Sequence, residues 1–377
     1  MTRTSSTIKS TSSSISPVQT FVVGSTAGGQ IEVWEAIARG QLSNNSQILG
    51  PANLNEAGYY AGSADGVVYY INKQGNLALV APPQTTSSSM NWTGPFEFFT
   101  GGGYGYGGES IAAITPDSTG VTLVAMIDAG HNLVGWQRNM SDTNNYTAGW
   151  TGPTTLYASA FNSGESTVAA AQRSSLGTAD IFALTPNGVL IVTSIHKNGS
   201  VSAATIAGGL GIYSSITATS NATSGGANVY AINGNSGVIM AYTWADGSQD
   251  VWTGPHPVTD SSYMFSQNTA LYAVSGPGGL DYVFAAWSGD LTVSIFAGQN
   301  STLINTTIIS PPVDAAFGSF GFPAFTPSGS HEEPYVYALD SNSGLWVFFM
   351  VNGTWQSVQL TADTVEDDQQ SDSEDDP

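Results

Sequence analysis

Residues 91–95 read "NWTGP", residues 149–153 read "GWTGP" and residues 251–255 read "VWTGP". Trp92 and Trp150 lie 58 positions apart, and Trp150 and Trp252 lie 102 apart. The second interval is close to twice a unit of about fifty residues, as though one copy between them is lost. A period of that size points to a repeat architecture. A second pattern tests it: a β-rich run, a short turn usually carrying Gly, and a second β-rich run. Seven copies occur: "QIEVWEAIARGQLSNN" from Gln30, "GVVYYINKQGNLALVA" from Gly66, "VTLVAMIDAGHNLVGW" from Val121, "DIFALTPNGVLIVTSI" from Asp180, "NVYAINGNSGVIMAYT" from Asn228, "DYVFAAWSGDLTVSIF" from Asp281 and "YVYALDSNSGLWVFFM" from Tyr335. Their first apolar positions after the turn are Leu42, Leu77, Leu133, Leu190, Ile239, Leu291 and Trp346, spaced by 35, 56, 57, 49, 52 and 55. The first spacing alone is out of range, so the first unit reads as short or incomplete.

Each copy is a hairpin whose turn has the Gly, Asn or Asp that such turns require. A run of small apolar residues usually precedes it, as in "SIAAITP" (110–116), "STVAAAQ" (166–172), "SSITATS" (214–220) and "TALYAVS" (269–275). A further strand follows Trp-Thr-Gly-Pro, as in "GPFEFFT" (94–100) and "GPTTLYA" (152–158). Four antiparallel strands per unit, repeated seven times, predict an all-β chain: a seven-bladed β-propeller of four-stranded antiparallel blades over residues 19–361. Small residues suit the innermost strand, where blades converge. Trp-Thr-Gly-Pro reads as the corner into the outermost strand, with its Trp wedged against the neighbouring sheet. Ring closure is expected to borrow "TWQSVQL" (354–360) for the short first unit. A set of β-sandwiches would need units nearer a hundred residues.

Charge and composition then narrow the function. The chain has 28 acidic residues against 7 basic ones, with no Lys or Arg after Lys197. Residues 363–377, "DTVEDDQQSDSEDDP", hold 8 of the acidic groups, which leaves 20 against 7 for the rest. Phosphate recognition depends on basic side chains, so nucleic acid and anionic membrane surfaces are excluded as partners. No run is apolar enough for a membrane span. Cysteine is absent, which removes disulfides and thiolate chemistry. The start, "MTRTSSTIKSTSSSISPVQ", lacks the apolar run of a signal peptide, and residues 1–18 are expected to be a disordered segment. Nine Asn-x-Ser/Thr sequons, at Asn44, Asn91, Asn139, Asn145, Asn198, Asn221, Asn300, Asn305 and Asn352, lean the other way, toward an extracellular glycoprotein.

Catalytic groups are few. His131, His196, His256 and His331 stand apart, and "HEE" (331–333) reads as an exposed loop. "GGGYGYGG" (101–108) lacks the Lys and helix of a phosphate loop. Asp65, Asp117, Asp246, Asp260, Asp290 and Asp340 sit beside turn residues, and turn formation accounts for them. No catalytic residue, metal ligand or cofactor is assigned. What remains is aromatic and neutral polar surface. An indole face takes the apolar C–H face of a sugar while Asn, Gln, Ser and Thr take its hydroxyls. Trp92, Trp150, Trp252 and Trp355 are the ligand-binding candidates on that reading, and packing between blades is the competing role for each.

Units such as "GVVYYINKQGNLALV…NWTGP" and "NVYAINGNSGVIMAYTWADGSQDVWTGP" resemble the blades of the fungal fucose-specific lectins and, more loosely, those of the bacterial seven-bladed lectins. The resemblance implies a propeller fold and glycans or glycoproteins as partners. It does not carry the fucose site across. Where those lectins place an Arg on the strand, this chain has Val68, Val229 and Tyr282, and the Glu after the turn is missing in "NLALV". Three functions follow in order: a non-catalytic lectin with repeated pockets between blades, a protein-interaction or structural propeller, and a propeller glycosidase or lyase.

Residues 362–377 are expected to be a disordered acidic tail, since like charges repel and little there can be buried. Deleting 363–377 is expected to leave the thermal midpoint of unfolding nearly unchanged, as followed by circular dichroism.

Overall fold

The computed structural model describes residues 5–9, 20–25, 30–38, 41–50, 60–63, 66–82, 91–98, 110–116, 120–139, 146–158, 161, 167–221, 224–244, 251–287, 290–298, 301–310, 317–320, 324–325, 334–340, 345–351 and 353–360. They form an all-β propeller of antiparallel sheets, each built from consecutive strands. The first sheet contains β1 (Ser5–Lys9), β2 (Thr20–Ser25), β3 (Ile31–Ala38) and β4 (Gln41–Leu49). The second contains β5 (Tyr60–Gly62), β6 (Val68–Ile71), β7 (Leu77–Ala81) and β8 (Thr93–Phe98). The third contains β9 (Ile111–Ile114), β10 (Val121–Ile127), β11 (Leu133–Asn139) and β12 (Trp150–Tyr157). The fourth contains β13 (Val168–Arg173), β14 (Thr178–Leu184), β15 (Leu190–Ile195) and β16 (Val201–Ala207). The fifth contains β17 (Ile216–Ser220), β18 (Ala227–Ile232), β19 (Ile239–Trp244) and β20 (Thr253–Pro257). The sixth contains β21 (Leu271–Ser275), β22 (Leu280–Trp287), β23 (Asp290–Ala297) and β24 (Thr302–Ile309).

The last sheet departs from this plan. It has five strands: β25 (Phe317–Phe320), β27 (Pro334–Asp340), β28 (Leu345–Val351) and β29 (Thr354–Gln359) in order, with β26 (Ala324–Phe325) also paired to β27. Among the described residues, regular four-stranded blades therefore number six, not the seven expected.

The turn chemistry is local. Asn72 Oδ1 accepts the N–H groups of Gln74 and Asn76, and Gly75 takes φ +76°. Thr185 Oγ1 does the same for Val189, with Gly188 at φ +70°. Such side-chain-capped turns join the second and third strands of a sheet and set their register. The first strands β5, β9, β13, β17 and β21 lie against one another in succession, which places them innermost. Their small side chains suit that crowding.

Apolar clusters fill every seam between neighbouring sheets. Val23, Ile31 and Val33 of the first sheet meet Tyr60, Val68 and Tyr70 of the second. The pattern continues round to Tyr335, Tyr337 and Val347 of the last sheet, against which Trp34 of the first packs. Because both faces of a sheet are covered, β6, β14, β15 and β18 are buried at every position. Their sequences are runs of apolar residues rather than alternations.

Three readings of the sequence need correction. The stretch from Gln30 is not the second-to-third-strand hairpin of its sheet but its third and fourth strands, β3 and β4. The third strand starts at Ile31, so the spacing to Leu77 is 46 rather than 35, and the first unit is not truncated. It is completed by β1, inside the segment set outside the propeller, which pairs with β2 from Ser5↔Gly24 to Lys9↔Thr20. No strand is borrowed from 354–360, since β29 pairs with β28 in its own sheet.

The Trp-Thr-Gly-Pro stretch is also not a corner. Its Gly-Pro pair lies inside the outermost strand, where the ladder slips by a residue: opposite Leu79 and Ala81, opposite Gly135 and Gln137, and opposite Ala241 and Thr243. The Gly-Pro bond is cis in all three copies. Residues 361–377, "HEE" (331–333) and "GGGYGYGG" (101–108) lie outside the described residues.

The bulge explains the invariant Gly of the motif. Gly94, Gly152 and Gly254 have φ of +115°, +119° and +141°, where only glycine is at ease. A Cβ on Gly152 would stand 2.8 Å from the Gly135 carbonyl oxygen and 3.1 Å from Trp136 Cα, both backbone atoms of the adjacent strand. Gly152→Ala is expected to cost about 3 kcal/mol. Gly120→Ala, at φ +60° with nothing within 4 Å, is expected to cost about 1 kcal/mol. Urea denaturation of the two variants measures the difference.

Candidate functional site

The four candidate tryptophans are all placed at seams, and they are not equivalent. Trp92 is 3% exposed and belongs to the apolar cluster between the first and second sheets. Gln47 on β4 clamps its backbone, accepting from Trp92 N at 2.8 Å and donating to its carbonyl at 2.9 Å. Trp150, Trp252 and Trp355 are half-buried.

Each of these three leans back from an outermost strand or its approach onto an aromatic ring of the preceding sheet's second strand. Trp150 meets Tyr69 edge-on at 5.8 Å and 82°, and its indole N–H donates to the Tyr146 carbonyl at 2.9 Å. Trp252 meets Phe182 at 5.3 Å and 89°, and Trp355 meets Phe284 at 6.0 Å and 88°. Edge-to-face contacts of this kind hold an indole in place. Exposed Thr151, Thr253 and Thr354 lie next to the three rings in sequence. An indole held on one side and open on the other, beside neutral hydroxyls, can stack a flat apolar ligand face and bond its polar rim.

The positions where the resemblance would call for an arginine carry other side chains. Val68 and Val229 are buried and Tyr282 is half-buried. The two described arginines, Arg138 and Arg173, are used elsewhere. Arg138 is 1% exposed and lies over the Tyr146 ring at 4.8 Å. Arg173 lies over Trp244 at 4.9 Å, across the seam between the fourth and fifth sheets. It also grips Asp180 with two hydrogen bonds, Nε to Oδ2 at 2.7 Å and Nη2 to Oδ1 at 2.9 Å. Ser194 adds a donor to Asp180 Oδ1 at 2.6 Å and accepts from Arg173 at 2.9 Å. Burial pushes the Asp180 carboxyl up, and the guanidinium draws it back down. Sequence reasoning missed this pair. The one signal for it was a basic residue closing the apolar run "VAAAQR", seven positions before an acid that opens the next.

Catalytic geometry is not assembled by the described histidines. His131 is exposed at φ +62°, His196 shares a hydrogen bond with Ser202 at 2.9 Å, and His256 lies on β20. Among the described residues, no three His, Asp or Glu side chains converge as metal ligands would.

The sequence matches no protein-family model and no curated protein at a significant level. Its fold does match solved structures. The BP39L lectin from Burkholderia pseudomallei superposes with a TM-score of 0.76 at 21% identity, over 95% of this chain and 99% of that one. The fucose-binding lectin of Aleuria aurantia, described as a six-bladed β-propeller, gives 0.55 at 13% identity, over 97% and 98%. AofleA from Arthrobotrys oligospora gives 0.57 at 9%, over 96% and 91%. The chain therefore has the propeller fold found in fungal and bacterial lectins.

Removing one partner of a buried ion pair strands the other charge, so Arg173→Met is expected to cost about 3–5 kcal/mol. The double variant Arg173→Met/Asp180→Leu is expected to recover much of that loss. Chemical denaturation of the three proteins measures both.

Proposed function

We propose that this protein is a non-catalytic, carbohydrate-binding propeller that holds glycans at several seams between blades. The observation that carries the reading is the recurrence of one arrangement: Trp150, Trp252 and Trp355, each half-exposed and fixed edge-on against the neighbouring sheet. The lectin fold supports it. In this reading the ring spans residues 19–361 with β1 added, the five-stranded last sheet acts as its seventh blade, and 1–4 and 362–377 are extensions. The binding residues are Trp150, Trp252 and Trp355, with Trp92 as a fourth whose burial limits it to the wall of a pocket. The pockets are neutral, so the ligand is a neutral glycan held by stacking and hydroxyl contacts, and fucose is not singled out. Weak sites at successive seams gain strength together on a glycosylated surface. The sequons and the scarcity of basic residues favour an extracellular setting.

A second reading, a protein-interaction propeller, is favoured by Trp92, which is a packing residue by its burial. The two separate on one set of variants. Trp150→Ala, Trp252→Ala and Trp355→Ala are each expected to weaken binding on a broad glycan array while keeping the circular dichroism of a folded β protein. If the rings only pack, the same changes should instead cost about 3–5 kcal/mol of stability without altering any glycan signal. A wild-type protein silent across the whole array leaves the interaction reading in front.

A further inference from the structure

The seam between the fifth and sixth sheets is closed around a carboxylate with no cationic partner among the described residues. Asp281, at the start of β22, is 0% exposed. Its Oδ2 faces the fifth sheet, where Thr219 Oγ1 donates at 2.5 Å, Asn228 Nδ2 at 2.6 Å and the Tyr230 hydroxyl also donates. Its Oδ1 takes the Ser275 hydroxyl of its own sheet at 2.5 Å. Thr219, Asn228 and Tyr230 are themselves buried. This contrasts with Asp180 one seam earlier, where Arg173 supplies a full charge.

We propose that this joint is a pH-sensitive seam, tight when the Asp281 carboxyl holds a proton and loosened when it ionises. Four neutral donors can satisfy an anion, yet three of them are hydroxyls, which accept as readily as they donate. A protonated acid can turn one of them round, donate to it and keep the network whole. An ionised one must remain a charge buried in the seam, which is costly even with hydrogen bonds. Burial accordingly raises the Asp281 carboxyl above its ordinary value, and the four hydrogen bonds only partly oppose it.

The groups around it offer no compensation. Tyr230 is the titratable side chain in contact, and its own hydroxyl is pushed up by burial and by Asp281. Strands β17, β18, β19, β21, β22 and β23 contain no Lys, Arg or His. Their other carboxylate, Asp290, pairs with Trp287 at the far end of the sheet, whereas Asp281 pairs with Phe296.

The sign follows from linkage. A carboxyl raised on folding binds its proton more tightly in the folded state. Its contribution is complete below the ordinary Asp value of 3.8 and is lost as pH rises through the raised value. Asp281→Asn, which mimics the neutral acid in shape, is the test. Thermal midpoints of the full chain and the variant are compared between about pH 4 and pH 9. The expected result is near-equality at the acid end and a variant that is the more stable at the alkaline end. A deficit of constant size across the range, or one that grows with pH, overturns the proposal. Should the variant fail to fold, infrared difference spectra of the wild type decide. A protonated buried carboxyl band persisting above the usual Asp range, and displaced in Tyr230→Phe, supports the proposal, and no such band overturns it.

Discussion

Every sheet of this propeller is buried on both faces by its two neighbours, and that constraint governs the rest of the molecule. Away from its exposed outermost strand, a sheet in the ring has no solvent face to fill with polar residues. Its middle strands must therefore be apolar at consecutive positions, as in "VYYI" of β6 and "LIVTSI" of β15. The seams are where stability resides, because large side chains meet there: Tyr69 with Trp136, Phe182 with Tyr242, Phe284 with Phe348. Any aromatic residue near a seam is first a packing group, and some of them, Trp150, Trp252 and Trp355 included, remain partly exposed. The same geometry that leaves Trp150, Trp252 and Trp355 partly exposed ties them to the core.

Innermost strands raise a different problem. Each is a sheet edge whose outward backbone groups lack a strand to pair with, and unpaired buried groups are costly. Here hydroxyls and amides from the neighbouring sheet take up several of them. Ser110 bridges to the backbone of Val168, accepting its N–H at 2.9 Å. Thr167 donates to the Ser214 carbonyl and accepts from Ile216 N, while Ser220 accepts from Gln172 N at 2.6 Å. Asn221 donates to the Gly279 carbonyl across the next seam. The Ser- and Thr-rich composition is in part a consequence of this wiring. Small hydroxyl side chains fit the crowded centre and still carry a donor and an acceptor.

Much of this was legible in advance. The period and the Gly-centred turns identify the propeller, since Asn72, Thr185 and Asn233 act on residues two to four positions away. Periodicity was less safe at the ends of the chain. The run from Gln30 has the look of a hairpin and is one, yet it is displaced by a strand within its sheet. Only the pairing of β1 with β2 reveals the displacement. Trp-Thr-Gly-Pro was rightly singled out and assigned the wrong geometry, because a turn and a bulge draw on the same residues.

The amino-acid sequence by itself determined the class of the fold, the number of strands in a regular unit and the scarcity of basic side chains. Those properties depend on contacts between residues close in the chain, or on composition. Tertiary structure decided which tryptophans are enclosed and which keep an open edge. It also decided which acids are paired: Asp180 has Arg173 within reach, and Asp281 has only neutral donors contributed largely by another sheet. Thr219 and Asp281 lie 62 positions apart, more than one repeat, and no local pattern encodes that meeting. Side chains that face each other across a seam come from different units, so their chemistry exists only once the ring has closed.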